Sequence, residues 1–376
     1  MVSMEKKVNV MVYALPNVSG GGYSVIENLY KDIDEHKDAF PEIHWHFIVG
    51  RPGLEDTECI TVHNEEDSRR SYFSRVIFNA KGLKRYIEKY DIRAIISINM
   101  LVGGVNIPSI ISFHNVLPFY HCGFNVFDRG IDIVKQMLIN RMIIESISNA
   151  NYVVIPSKWI EDVMINRYGI RKEKIRISPI GTPEMCSFDD RKDDEIEYQG
   201  EMIFVYPASG FPYKNHMVIA KAVERLKADN VSGFKVLFTG EVGNGKTMRK
   251  LKKIVQMEEL PIEFYGMASR ETLASFYRKG VLIFPSKIET DGFPLLESMA
   301  CGGKIIAADM PYAREALSGY EHCEFFCPDD AQTLAEYMKN MISQKSLNLN
   351  RVGRIANVKP RSEVIVSLIR EIVEQK

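Results

Sequence analysis

A chain of 376 residues is long for a single hydrophobic core, so two domains are the expectation. Apolar residues make up 45% and charged residues 26%, which is the mix of a folded globular protein. The formal net charge of −1 excludes a nucleic-acid coat or an overall basic membrane binder, although a local basic patch is invisible in that sum; six irregularly spaced cysteines exclude a disulfide framework and point to reduced thiols.

The opening MVSMEKKVNVMVYAL has too short an apolar run, and no small-residue cleavage site, for a signal peptide. VNVMVYA reads as a strand, followed by a glycine loop and the helix YSVIENLYKDI. HWHFIVG and AIISI read as further strands, with helical KGLKRYIEKY between them. Residues 94–127 contain no Asp, Glu, Lys or Arg, yet Asn99, Gly103, Gly104, Asn106, Pro108, His114, Asn115 and Pro118 interrupt the run. Two buried strands, AIISI and SIISF, joined by a loop explain it better than a membrane span. A long helical run VFDRGIDIVKQMLINRMIIESISNA precedes the strand YVVIPS and the helix SKWIEDVMINRYG. Residues 186–201, CSFDDRKDDEIEYQGE, are acidic and lack apolar periodicity, so they read as a surface loop or linker.

A second series follows. MIFVYPA, FKVLFT, IEFYGM, VLIFPS and KIIAAD read as strands, each with a helical segment after it. DAQTLAEYMKNMISQ and SEVIVSLIREIVEQ are the late helices. The alternation predicts an α/β fold of two Rossmann-like doubly wound domains facing across a cleft. Their boundaries are 1–185 and 201–360, with a linker at 186–200 and a C-terminal helix, 361–376, packing back on the first domain.

Three stretches carry chemistry. Residues 240–247, GEVGNGKT, fit the phosphate-loop pattern between a strand and a helix, and Asp309 at the end of KIIAAD resembles a magnesium-binding partner. The competing reading is a polar strand-to-helix loop with Lys246 exposed. His322, Cys323 and Cys327 lack a second ligand pair and read as cysteines flanking a strand, so no metal is expected there. Residues 287–309, KIETDGFPLLESMACGGKIIAAD, place Glu289 after a strand, Gly292 in a turn, Pro294 at the first helical position and Gly302 at the helix end. The amides near Gly292, Phe293 and Leu295 then form an anion site, and Glu297, one turn in, is placed to accept hydrogen bonds from two vicinal hydroxyls, as on a ribose.

With its flanks, PSKIETDGFPLLESMACGGKIIAAD resembles the signature of family 4 retaining glycosyltransferases, which have the glycosyltransferase-B fold. The resemblance implies that Glu297 binds the nucleotide ribose and Glu289 the donor sugar. It implies that the turn formed by Gly292, Phe293, Pro294 and Leu295 meets sugar and phosphate. GFPYKNHMVIAKAV resembles the segment with a phosphate-binding lysine, here Lys214, and FYGMASRETL the loop bordering the base, here Tyr265 and Met267. VSGGGYSVI resembles the glycine segment near diphosphate and acceptor, giving Gly20, Gly21 and Gly22, and FHNVLPFY the loop whose histidine, His114, touches the donor sugar. ISPIGTPE resembles the close of the N-terminal domain. One departure stands out: many relatives carry an arginine four or five residues before the lysine, where this chain has Gly210 and Ser209.

The reaction implied is hexosyl transfer with retention from a UDP-, GDP-, ADP- or TDP-sugar to an acceptor hydroxyl. No Asp-x-Asp motif is placed to hold a metal at the diphosphate, so no cofactor is expected. Surface polysaccharide (lipopolysaccharide or capsule) or lipid-linked glycan assembly is the implied setting. The protein would be cytoplasmic, with peripheral contact at the inner face of the membrane and no nucleic-acid partner. Two other classes remain at this stage: a phosphate-loop hydrolase, and an inactive sugar-nucleotide or glycan binding protein on the same fold.

Overall fold

The structure, a computed structural model, describes residues 7–17, 20–100, 106–119, 130–179, 200–243, 245–343 and 361–374. The chain divides into two compact units. One comprises Met1–Pro118, Leu138–Ile180 and Val358–Lys376, and the other Phe119–Met137 and Gly181–Asn357. The acidic linker at 186–200 lies outside the described residues apart from Gly200.

The first unit is built on seven parallel strands: β1 (Val8–Tyr13), β2 (Ile43–Val49), β3 (Ile60–Asn64), β4 (Ile92–Ile98), β5 (Ser109–Ser112), β6 (Tyr152–Ile155) and β7 (Ile175–Ile177). Their order is β3-β2-β1-β4-β5-β6-β7. The second has six parallel strands: β8 (Met202–Pro207), β9 (Phe234–Thr239), β10 (Ile262–Gly266), β11 (Val281–Phe284), β12 (Lys304–Ala308) and β13 (Cys323–Phe326), ordered β10-β9-β8-β11-β12-β13. In each sheet the chain runs outward from its first strand and then returns to that strand's other side. The order therefore reverses once per sheet, at β1/β4 and at β8/β11, and ligands of such sheets bind beyond the strand carboxyl ends at that reversal.

Central strands covered on both faces must be apolar throughout. Val10, Met11 and Val12 of β1, Trp45 and Phe47 of β2, and Leu282 and Ile283 of β11 are accordingly wholly buried. Within the uncharged stretch 94–127, the described residues include most of β4 and all of β5, and among the described residues no helix is long and apolar enough to cross a membrane. The helix Arg361–Glu374 buries Ile365, Val366, Leu368, Ile369 and Ile372 in the core of the first unit beside Leu29 and Ile33. Each such side chain contributes about 2 kcal/mol. Asp32 receives the Ser362 amide at 2.6 Å, and Arg370 pairs with Glu42.

The glycine loop is corrected: Gly20 to Gly22 form the first turn of the helix Gly20–Glu35. The strands β3 and β7 have no counterpart in the sequence reading, because β3 is a half-polar edge strand and β7 spans only three residues. The helical run ending at Lys89 starts earlier than KGLKRYIEKY, at Tyr72, and passes through a π-turn at Phe78–Gly82.

Between β2 and β3 lies a histidine cluster. His46 Nδ1 is 3.1 Å from His63 Nε2, and its Nε2 is 3.4 Å from Asn9 Oδ1. His44 bonds Thr61 Oγ1 at 2.9 Å, while Tyr86 and Tyr90 pack on the rings of His63 and His46. Glu65, Asp56 and Lys89 are the charged side chains facing His63. Burial first, then the neighbouring imidazoles, pushes His46 down to about 4. A depressed histidine favours the neutral form in the fold, so its stabilisation is present above the unfolded value of about 6.5 and is lost as pH falls toward 4. Between pH 7 and pH 4.5 the native chain should lose about 2 kcal/mol more than the His46→Gln variant. Urea unfolding at the two pH values checks this; parallel losses would refute it.

Candidate functional site

Beyond the carboxyl end of β8, the turn Pro212–Lys214 leads through Asn215, in the left-handed region at φ 60°, into the helix His216–Ala228. Asn215 fixes the turn by donating to the carbonyls of Pro285 (3.2 Å) and Pro328 (2.7 Å). Tyr206 Oη donates to the Lys214 carbonyl at 2.7 Å. Lys214 is thereby aimed across the reversal point at the segment after β11, and its Nζ meets Glu289 Oε1 at 2.6 Å. The two side chains are only 17% and 15% exposed. Phe211, half exposed, stacks on Tyr213 at 5.6 Å beside this pair.

The Glu289 carboxylate is ringed by phenols. Burial first, and the Glu289 charge second, raises Tyr206, Tyr213 and Tyr312, so all three remain protonated. Burial likewise lowers His216 to about 3, with the Lys214 charge the next cause, so His216 is neutral. One ammonium and one carboxylate are therefore the charged groups at the centre of this ring.

Gly292, at φ 65°, turns the chain into the helix Phe293–Ala300. A left-handed residue this close to Leu295 and Tyr312 favours glycine on both conformational and steric grounds. The helix opens at Phe293, so Pro294 takes its second position; proline costs nothing there because first-turn amides lack helical partners. The Leu295 amide is spent on the Gly292 carbonyl at 2.8 Å, which narrows the expected anion site to the amides of Gly292 and Phe293. Glu297, one turn in, is largely buried and accepts from Tyr277 Oη at 3.1 Å. Burial raises its carboxyl above the usual range, against the opposing effects of Tyr277 and Arg270.

Tyr265 and Met267 stand at the carboxyl end of β10, 40% and 79% exposed, with Tyr265 edge-on to Phe276. Gly20, Gly21 and Gly22 open a helix beyond β1, in the other unit. His114 follows β5 in that unit; its amide donates to Asn99 Oδ1 at 2.6 Å and its Nε2 lies 3.1 Å from Ser112 Oγ. Burial, then the Arg361 charge, holds His114 well below its usual value, so the ring is neutral. Sequence reasoning missed Tyr277, Asn99, Phe211 and Tyr213. Nothing local marks Tyr277 or Asn99, whereas the aromatic pair flanking Pro212 was visible in GFPYKN.

At Gly210, one of the two positions expected for the arginine, its absence has a steric cause. A Cβ on Gly210 would lie 1.8 Å from the Val242 carbonyl oxygen and 2.6 Å from Met248 Cγ. Val242 and Met248 pack directly against Gly210, so no side chain fits there. The same contact gives the phosphate-loop pattern a structural role. As a hydrolase site it fails: β9, which precedes it, is separated from β12 by β8 and β11. Three strand spacings are about 14 Å, too far for Thr247 and Asp309 to share a magnesium ion. Asp309 is instead held by Arg314 through bonds of 2.7 and 2.8 Å. Cys323 donates to the Tyr320 carbonyl, and no cluster of three or more His, Cys, Asp or Glu side chains among the described residues could hold a metal ion.

Two parallel sheets, each with its own reversal point, have the architecture of the glycosyltransferase-B fold. A glycosyltransferase from Rickettsia africae covers 98% of this chain and is itself covered over 100% of its length, with a TM-score of 0.71 at 17% identity. The Anabaena protein HepE, solved with UDP-glucose, covers 98% with 97% of its own chain aligned, at a TM-score of 0.66 and 15% identity. Residues 187–357 match the family of glycosyl transferases group 1. The O-antigen chain mannosyltransferase RfbU of Salmonella typhimurium is 21% identical over 232 residues, 61% of this chain. That alignment spans 60% of the mannosyltransferase's length.

Gly210→Ala should destabilise the chain by about 2 kcal/mol or more, because the clash is with backbone that cannot swing aside. An unchanged urea midpoint would refute the close approach of the two loops.

Proposed function

We propose that the protein is a retaining, metal-independent glycosyltransferase that moves a hexosyl group from a nucleoside-diphosphate sugar to an acceptor hydroxyl. The observation that carries this is the Lys214–Glu289 pair, 2.6 Å apart at the β8/β11 reversal, with the Gly292 turn opening a helix beside it. Bond breaking puts negative charge on the leaving diphosphate. Lys214 and the amides of Gly292 and Phe293 are the groups on hand to stabilise it. A diphosphate competes with Glu289 for Lys214, freeing the Glu289 carboxylate for the hydroxyls of the donor sugar. Glu297 takes the ribose hydroxyls, and the exposed Tyr265 and Met267 offer an apolar edge to the base. Within the first unit, His114 is neutral and therefore able to bond a sugar hydroxyl without adding charge, and the reading gives Gly20 to Gly22, which open the helix after β1, to the acceptor. The UDP-glucose complex of HepE supports a nucleotide-sugar donor.

The similarity to an O-antigen chain mannosyltransferase supports a setting in surface polysaccharide or glycolipid assembly, and the reading puts that assembly on the cytoplasmic face of a membrane. Peripheral contact with that membrane is part of the reading. The helix Gly130–Asn149 leaves Val134, Met137, Leu138, Ile139 and Met142 exposed, which supports it.

Thermal stabilisation by UDP, GDP, ADP and TDP, each with and without magnesium, is the primary test. One diphosphate at a hundredfold excess over its dissociation constant should add about 2.7 kcal/mol of stability. The shift should survive EDTA, vanish in Glu297→Ala and weaken as acidification protonates Glu297. Turnover of the matching sugar donor should fall about a hundredfold or more in Lys214→Ala and in Glu289→Ala. A shift that requires magnesium and ATP, or that survives Glu297→Ala, would overturn the assignment.

A further inference from the structure

The helix Lys246–Met257 takes no part in the donor site, and its charges run against its own stability. Within residues 246–253 stand Lys246, Arg249, Lys250, Lys252 and Lys253, with no acid among them. The first turn also has no acid, so Lys246 and Arg249 sit at the positive end of the helix dipole. Lys246–Lys250, Lys246–Arg249, Arg249–Lys253 and Lys250–Lys253 are pairs three or four residues apart, where like charges repel. Among the described residues, Lys246, Arg249, Lys250 and Lys253 form no ion pair. The acids nearest in sequence, Glu241, Glu258 and Glu259, lie beyond the helix ends. A helix meant only to face water relieves such repulsion by interspersing carboxylates.

The geometry makes the cations one surface. Met248, Leu251 and Val255 are buried against the sheet. Lys246, Lys250, Lys253 and Met257 recur at spacings of four, three and four, so they form one outward column. It runs for about 16 Å along the helix axis. Arg249 flanks the column, and Met257 ends it, 68% exposed. Lys252 turns aside over the Phe264 ring. Val242 and Met248 pack against Gly210, which anchors the start of this helix on the second unit.

We propose that this column docks the protein on an anionic lipid bilayer, with the lysines on lipid phosphates and Met257 at the boundary of the acyl region. A cluster of four or more basic residues on one face of an amphipathic helix matches the negative field of such a surface. A single-stranded nucleic acid would need aromatic platforms for its bases, and this helix carries none. The inference rests on the membrane contact proposed above and assigns it a surface; it is independent of the transfer chemistry.

The test is co-sedimentation of the full chain with phosphatidylcholine vesicles, with and without about 30% phosphatidylglycerol. Binding is expected only with the anionic lipid, and should weaken steeply between about 50 and 200 mM salt. The Lys246→Ser/Lys250→Ser/Lys253→Ser variant should lose affinity about tenfold or more while keeping the nucleoside-diphosphate thermal shift, which shows that it is folded. Undiminished vesicle binding by that variant, or equal binding to neutral vesicles, overturns the assignment to this helix and leaves membrane contact to the apolar face of Gly130–Asn149. No binding by the native chain overturns both, without touching the donor site. Preference for a single-stranded RNA over anionic vesicles also overturns it.

Discussion

An ammonium and a carboxylate 2.6 Å apart, each more than four-fifths buried, must solvate one another. The attraction within such a pair roughly repays the water it gives up, so Lys214–Glu289 contributes little net stability. Losing one partner is different, because the survivor is left as an isolated charge among phenols and a neutral histidine. The surrounding structure follows from that constraint. Asn215 pins the turn carrying Lys214, Tyr206 bonds its carbonyl, and Tyr312 Oη fixes the Ser286 carbonyl just ahead of Glu289. A pair that adds little to folding yet has this much support is the feature on which the proposed diphosphate role of Lys214 rests.

Much of this was legible in the sequence, for a physical reason. Parallel strands covered on both faces are short apolar runs, so β1, β2, β4, β8, β9, β11 and β12 announce themselves. The Gly292 turn and the helix after it are local events, written in consecutive residues. Lys214 and Glu289 could be picked out separately, but their contact spans 75 positions and no local rule contains it. β3 escaped because an edge strand keeps polar residues, and its one histidine, His63, is explained by neighbours on β2 and on the helix ending at Lys89. Tyr277 escaped because a tyrosine in a buried helix looks like core until its hydroxyl is seen on Glu297.

The last helix illustrates the same limit from the other side. Its amphipathic spacing predicts a helix, and its apolar face predicts a partner, but not which one. In the structure that face completes the core around Leu29 and Ile33, in a unit whose first strand begins at Val8. The sheet of the first unit therefore depends on a segment some 330 positions further along the chain. Loop closure over such a separation costs only logarithmically more than over a short one, so the burden falls on folding rate more than on final stability.

The phosphate-loop pattern shows most plainly why letters need a topology. GEVGNGKT has the glycines, the lysine and the hydroxyl in the required order, after a strand and before a helix. What it lacks is a neighbour: β8 and β11 separate its strand from the one ending at Asp309, and that aspartate is already held by an arginine. The backbone of this loop is put to another use, pressing its Val242 carbonyl against Gly210 so closely that a side chain is excluded at that position. The cation missing from that position is not restored elsewhere on this loop, since Lys246 points into solvent with the column it begins. At the β8/β11 reversal Lys214 is the cation that meets Glu289, and that pairing holds its ammonium at the place where the proposed donor site is built.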